Sequence, residues 1–68
     1  MKLSYDPAVD AVYLRLAPNR IVESEEVRPG VVLDFDEAGE VVGVEILHVR
    51  RRLPDSAPEQ IEVEVAAA

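Results

Sequence analysis

Asp34, Asp36 and Glu45 have the most direct route to chemistry, because carboxylate oxygens brought together on one surface bind Mg²⁺ or Ca²⁺. Spacing argues against that use. Side chains two apart on a strand stand ~7 Å from one another, too far for two direct bonds to one ion. These three residues are therefore weak metal candidates, expected to form a solvated outer face. Asp6 and Asp10 bracket Pro7 but lack the alternating ligands and closing Glu of a calcium loop, so capping of a turn is expected. His48 is the only imidazole, the side-chain type most used for general acid–base chemistry, yet no nucleophile motif accompanies it. Ser4, Ser24 and Ser56 lie outside any Gly-x-Ser-x-Gly elbow, and Gly30, Gly39 and Gly43 are too dispersed for a phosphate loop or a dinucleotide fingerprint. No catalytic residue and no cofactor are expected, and the chain reads as a non-enzyme.

Charge bears on partners instead. Seven basic residues against fourteen acidic ones give a net charge of −7, which opposes binding to nucleic-acid phosphates and favours cationic partners. Arg50-Arg51-Arg52 is the one basic cluster, and three adjacent side chains cannot share a face in a strand or helix. Glu23, Glu25 and Glu26 concentrate the negative charge, with Glu23 and Glu25 on one side of a strand and Glu26 on the other. Tyr13 and Arg15 share a strand face, where they either pack and hydrogen-bond or form a partner-binding patch of the kind enriched at interfaces. No stretch approaches the ~20 apolar residues of a membrane span, and Met1 to Asp6 lacks the apolar run of a signal peptide. A cytoplasmic protein is expected.

The elements that must position these residues are mostly strands. Leu3 and Tyr5 alternate with polar neighbours before Asp6-Pro7 breaks the pattern as an Asx turn. Val12, Leu14 and Leu16 share a face, Ala17-Pro18-Asn19 turns, and Ile21 to Val27 reads as an edge strand protected by its charges. Pro29-Gly30 suits the centre of a type II turn. A hairpin follows: Phe35 opposite Val42, Leu33 opposite Val44 and Val31 opposite Ile46 keep every large apolar residue on one side. That register sets Val32 against Glu45, Asp34 against Gly43 and Asp36 beside Val41, around a four-residue loop Glu37-Ala38-Gly39-Glu40. His48 to Leu53 either prolongs the strand or makes one helical turn. Pro54 to Pro58 reads as a linker, and Ile61, Val63 and Val65 alternate with Glu62 and Glu64 as a last strand against an edge of this chain or of a partner.

The whole is expected to be one small domain, residues 1–68, with 54–68 a tail that adds a strand. Its fold class is mainly β, an antiparallel meander of about five strands with a short helical turn near its C-terminal end. Twelve valines and eight alanines supply most of the apolar volume, cysteine is absent and Phe35 is the only Phe. A chain this short buries only ~60% of its unfolded surface. Part of the apolar surface is thus expected to be completed by another copy, making a homo-oligomer.

The string Tyr5-Asp6-Pro7-Ala8-Val9-Asp10-Ala11-Val12-Tyr13-Leu14-Arg15-Leu16 resembles the opening of a small bacterial and archaeal family catalogued as domain of unknown function 2283. Glu23 to Val27, Pro29 to Asp36 and Gly39 to Leu47 resemble that family's remaining blocks in the same order, so the resemblance covers about residues 3–53. His48 stands where the family usually has Asp, and the tail from Pro54 lies outside the shared pattern. The resemblance implies no catalytic residues. Some members look like the second gene of a pair with a small toxin, which implies an antitoxin-like role. Two functions are expected in order: a noncatalytic interaction module that engages a small basic protein, and a small-ligand or metal-binding protein with hydrolytic use of Asp34, Asp36, Glu45 or His48.

Overall fold

The computed structural model describes residues 1–53 and 57–67. Five strands, β1 (Lys2–Asp6), β2 (Ala11–Arg15), β3 (Glu23–Arg28), β4 (Val31–Phe35) and β5 (Val41–Ile46), precede one short helix, α1 (Val49–Arg52). All pair antiparallel in a single open sheet of order β1-β2-β5-β4-β3. The mainly β, five-stranded fold with a short helical turn is the one expected.

Strand order follows from polarity. β5 carries four branched apolar residues and only one charge, so both of its edges can be paired inside the sheet. β3 carries three glutamates, which resist burial, and it takes an outer edge. The chain after β2 must therefore cross the sheet end to reach β3. Leu16 N–H donates to the Val42 carbonyl at 2.8 Å at the start of this crossing, and Val22 N–H donates to the Phe35 carbonyl at 2.9 Å at its finish.

The β4–β5 hairpin holds the expected register at Val31–Ile46, Val32–Glu45, Leu33–Val44 and Asp34–Gly43. It departs at the loop, where Phe35 faces Val41 instead of Val42. Asp36 is the cause. Its N–H donates to the Glu40 carbonyl at 3.0 Å, which shortens the loop to Glu37-Ala38-Gly39 and leaves one extra residue on β5. Gly39 takes a φ of 81°, the left-handed conformation that closes a three-residue hairpin loop. Val42 becomes the most enclosed side chain, 2% exposed. The Asp36 carboxylate is buried too, at 8% exposure, and does not belong to a solvated outer face.

At the opposite end, the Asp6 carboxylate accepts the Ala8 N–H at 2.9 Å, as expected of an Asx turn. Asp10 and His48 both adopt a φ of 54°, and Val49 N–H reaches the Asp10 carbonyl at 3.2 Å, so α1 is tied to the β1–β2 turn. Arg52 ties it to a second turn, donating to the carbonyls of Pro29 and Leu47 at 2.8 and 3.1 Å.

Beyond α1, the expected linker falls partly on residues 54–56, outside the described residues. Pro58 is buried, and Gln60 N–H donates to the Ala57 carbonyl at 3.0 Å. Glu59 to Ala67 are all exposed, and the alternation at Ile61–Val65 makes no strand within this chain.

The hairpin loop makes the fold acid-sensitive at a defined group. Asp36 accepts the Asn19 amide at 2.9 Å and the N–H groups of Ala38 and Glu40 at 2.9 and 3.0 Å. The Asn19 bond above all, then the Glu40 N–H, hold its carboxyl below the ordinary 3.8. A carboxylate depressed in this way stabilises the fold above its unfolded pKa and loses that contribution as pH falls through the folded value. Unfolding followed against pH should show stability declining below about pH 3.8. Asp36→Asn should be less stable at neutral pH with a flatter acid limb, whereas an unchanged acid limb would remove Asp36 as its source.

Candidate functional site

Side chains at positions 13 and 15 of β2, 43 and 45 of β5, 32 and 34 of β4, and 24 and 26 of β3 share one face, because cross-strand partners lie on the same side of a sheet. One row runs Arg15–Gly43–Asp34–Ser24 and the next Tyr13–Glu45–Val32–Glu26. Gly43, which has no side chain, opens the middle of the first row. Tyr13 leans diagonally across that gap and its hydroxyl donates to Asp34 Oδ2 at 2.6 Å. Ser24 donates to the other oxygen, Oδ1, at 2.6 Å. A single carboxylate thus joins β2, β4 and β3 across the top of β5. A Cβ placed on Gly43 would overlap the Tyr13 hydroxyl and stand 2.8 Å from Cζ.

Arg15 extends the cluster toward the crossing segment. Its Nε donates to the Ala17 carbonyl at 2.7 Å and its Nη2 to the Asn19 carbonyl at 2.5 Å, while Nη1 lies 3.4 Å from the Tyr13 hydroxyl. The Asp34 bond, and burial after it, raise the Tyr13 phenol above its ordinary 10.0, with Arg15 opposing. It is therefore a neutral donor at physiological pH. Beside this cluster, Asn19, Arg20, Asp36, Glu37 and Ala38 line an open cleft of about 270 Å³ whose floor is held by the Asn19–Asp36 bond.

The three candidate metal ligands are not brought together. Asp34 spends both oxygens on hydroxyl donors and Asp36 spends both on amide donors. Among the described residues no three His, Asp or Glu side chains converge on a point able to hold a cation. His48 is exposed at the head of α1 and makes no side-chain cap there. Of the basic cluster, Arg52 is occupied by the turn carbonyls and Arg50 pairs with Glu59 at 2.9 Å.

Nor do the four candidate partner-binding residues form one surface. Tyr13 and Arg15 lie on the polar face of interior β2 with their polar atoms engaged internally. Glu23 and Glu25 pair with Phe35 and Leu33, which puts them on the opposite face, at the rim formed by edge strand β3. Glu23 to Glu26 are all exposed. Two joints escaped the sequence reading. Asp34 as the hub for Tyr13 and Ser24 was signalled by a glycine inside a strand, which marks close approach of a neighbour. Asp10, which accepts the Tyr5 hydroxyl at 2.8 Å and the Arg50 N–H at 3.3 Å, carried no such signal, since Arg50 is 40 residues away in the chain.

Residues 2–50 match the family described as a protein of unknown function (DUF2283), and the chain belongs to that family. No curated protein and no solved structure matches it. No helix among the described residues is long and apolar enough to cross a membrane.

The Gly43 gap gives a direct test of the Asp34 hub. Gly43→Ala should destabilise by about 1–3 kcal/mol, the usual penalty for an extra methyl in occupied space. In a Tyr13→Ala background the same methyl should be nearly neutral, so a double-mutant cycle by chemical denaturation should show strong coupling between the two positions. Additive effects would mean that Tyr13 does not occupy the space above Gly43.

Proposed function

We propose that this member of the family is a noncatalytic protein-interaction module, antitoxin-like in using its acidic edge to engage a small basic partner protein. The observation that carries this reading is the position of β3. It forms an outer edge of the sheet and exposes Glu23, Glu25 and Glu26 in sequence. An edge strand offers unpaired backbone groups along one side, and an extended segment of a partner can add to it as a further strand. Charged side chains on such an edge discourage nonspecific pairing while selecting partners of opposite sign.

The other chemically suggestive residues support a binding role over a catalytic one. Asp34, Asp36, Tyr13 and Arg15 are bound to one another, to neighbouring hydroxyls and amides, or to backbone carbonyls, so the polar face reads as scaffold. Their work is to hold β2, β5, β4 and β3 in one rigid surface. The β3 glutamates project from that surface without being needed to build it.

The test is an association-rate measurement on a basic protein recovered by affinity capture with the intact chain. Glu23→Gln/Glu25→Gln keeps size and polarity and removes two charges, so folding should be unaffected while the association rate falls at low salt. High salt should narrow the gap between variant and parent, since exposed charges are screened beyond ~8 Å near physiological ionic strength. Equal rates at low salt would reject β3 as the recognition edge.

A further inference from the structure

We infer that the face of the sheet opposite Tyr13 is the contact surface for a second copy of this chain, the two sheets packing face to face as a two-layer sandwich. Two adjacent cross-strand rows, Val12–Ile46–Val31 and Leu14–Val44–Leu33, place six branched apolar side chains at the middle of this face. All six are only half-buried. The apolar side chains that are buried, Ala11, Val42 and Val49, are small and lie outside these two rows.

Among the described residues there is no second sheet, and no helix other than α1, to lie over the rows. The tail from Glu59 to Ala67 is exposed, with Val63 and Val65 at 80% and 90%. Helix α1 is one turn long and is fastened to the β1–β2 and β3–β4 turns at the sheet end. A sheet with one apolar face needs a second layer to bury it.

Area and charge both specify a copy of the same chain as that layer. The chain exposes 5327 Å², about 1,100 Å² more than the ~4,200 Å² usual for a folded monomer of this mass. A stable interface takes ~800 Å² from each partner. The centre of the face carries no charge, while Glu23, Glu25 and Arg28 stand along its β3 rim. An apolar centre with a charged rim is the usual anatomy of a protein interface. Being uncharged and made of branched side chains, the centre is complementary to itself, so a two-fold axis satisfies both copies at once. Two such faces interdigitate at the ~10 Å spacing of stacked sheets. The backbone edge of β3 remains open in this arrangement, with Glu23 and Glu25 at the dimer rim and Glu26 on the other face, so the oligomeric state and partner binding are read by separate experiments.

The experiment combines light scattering with NMR on a mixture of isotope-labelled and unlabelled chains of the parent sequence. A mass twice 7.5 kDa is expected at micromolar concentration, with intermolecular contacts among the methyls of Leu14, Leu33 and Val44. Leu33→Asp, which sets a charge in the centre, should raise the dissociation constant at least tenfold, and Glu26→Gln on the other face should leave it unchanged. Because a chain deprived of its second layer is expected to unfold, the contacts in the parent decide. A monomer at every concentration would overturn the inference. So would a dimer whose intermolecular contacts lie only along the β1 or β3 edges, or contacts from Leu33 and Val44 to Ile61 or Val63 of the same chain, which would make the tail the cover.

Discussion

A strand sends successive side chains to opposite sides, and here that alternation builds one apolar and one polar surface on a sheet with no second layer among the described residues. The other features follow from it. β5, with four branched apolar residues and a single charge, takes the centre, and β3, the most acidic, takes an edge. The two faces then solve different problems. One must be hidden from water, and the other must hold the strands together with polar groups alone.

The polar face does so by turning carboxylates into joints. Asp34 gathers Tyr13 and Ser24 over Gly43 and Asp36 closes the hairpin loop and captures Asn19 from the crossing segment, while off this face, at the β1–β2 turn, Asp10 binds Tyr5 and the start of α1. Each pairing is charge-assisted, which makes it stronger than a bond between neutral groups. In a chain with so little buried apolar volume, such joints tie together strands whose order and register polarity has set. Carboxylates oriented by these separate donors do not converge on a common point among the described residues, which explains why residues that look suited to chemistry serve architecture.

Most of the sheet was legible in the sequence because period-two alternation is a local signal. The register of β4 against β5 followed from keeping Leu33, Val44, Val31 and Ile46 on one side, and the edge position of β3 followed from its glutamates. The loop register was not legible, since it depends on the Asp36 N–H choosing the Glu40 carbonyl, a contact that apolar spacing does not encode. The pairing of β2 with β5 and the docking of α1 on Asp10 likewise join distant segments. Of the candidate site residues, Glu23 and Glu25 could be placed on a common side from parity alone. That Tyr13 and Arg15 lie on the other face could not, because parity relates residues within a strand and says nothing across an unknown strand order.

The central claim is that one amphipathic layer is not a complete fold, so folding and association form a single equilibrium. Burying Val12, Leu14, Val31, Leu33, Val44 and Ile46 against a second layer is then part of stability itself. The most direct measurement is equilibrium unfolding of the parent chain at two protein concentrations about a hundredfold apart. A transition that moves to higher denaturant at the higher concentration is the predicted result, since mass action stabilises the associated state. Superimposable transitions with a stable folded chain at both concentrations would contradict the account.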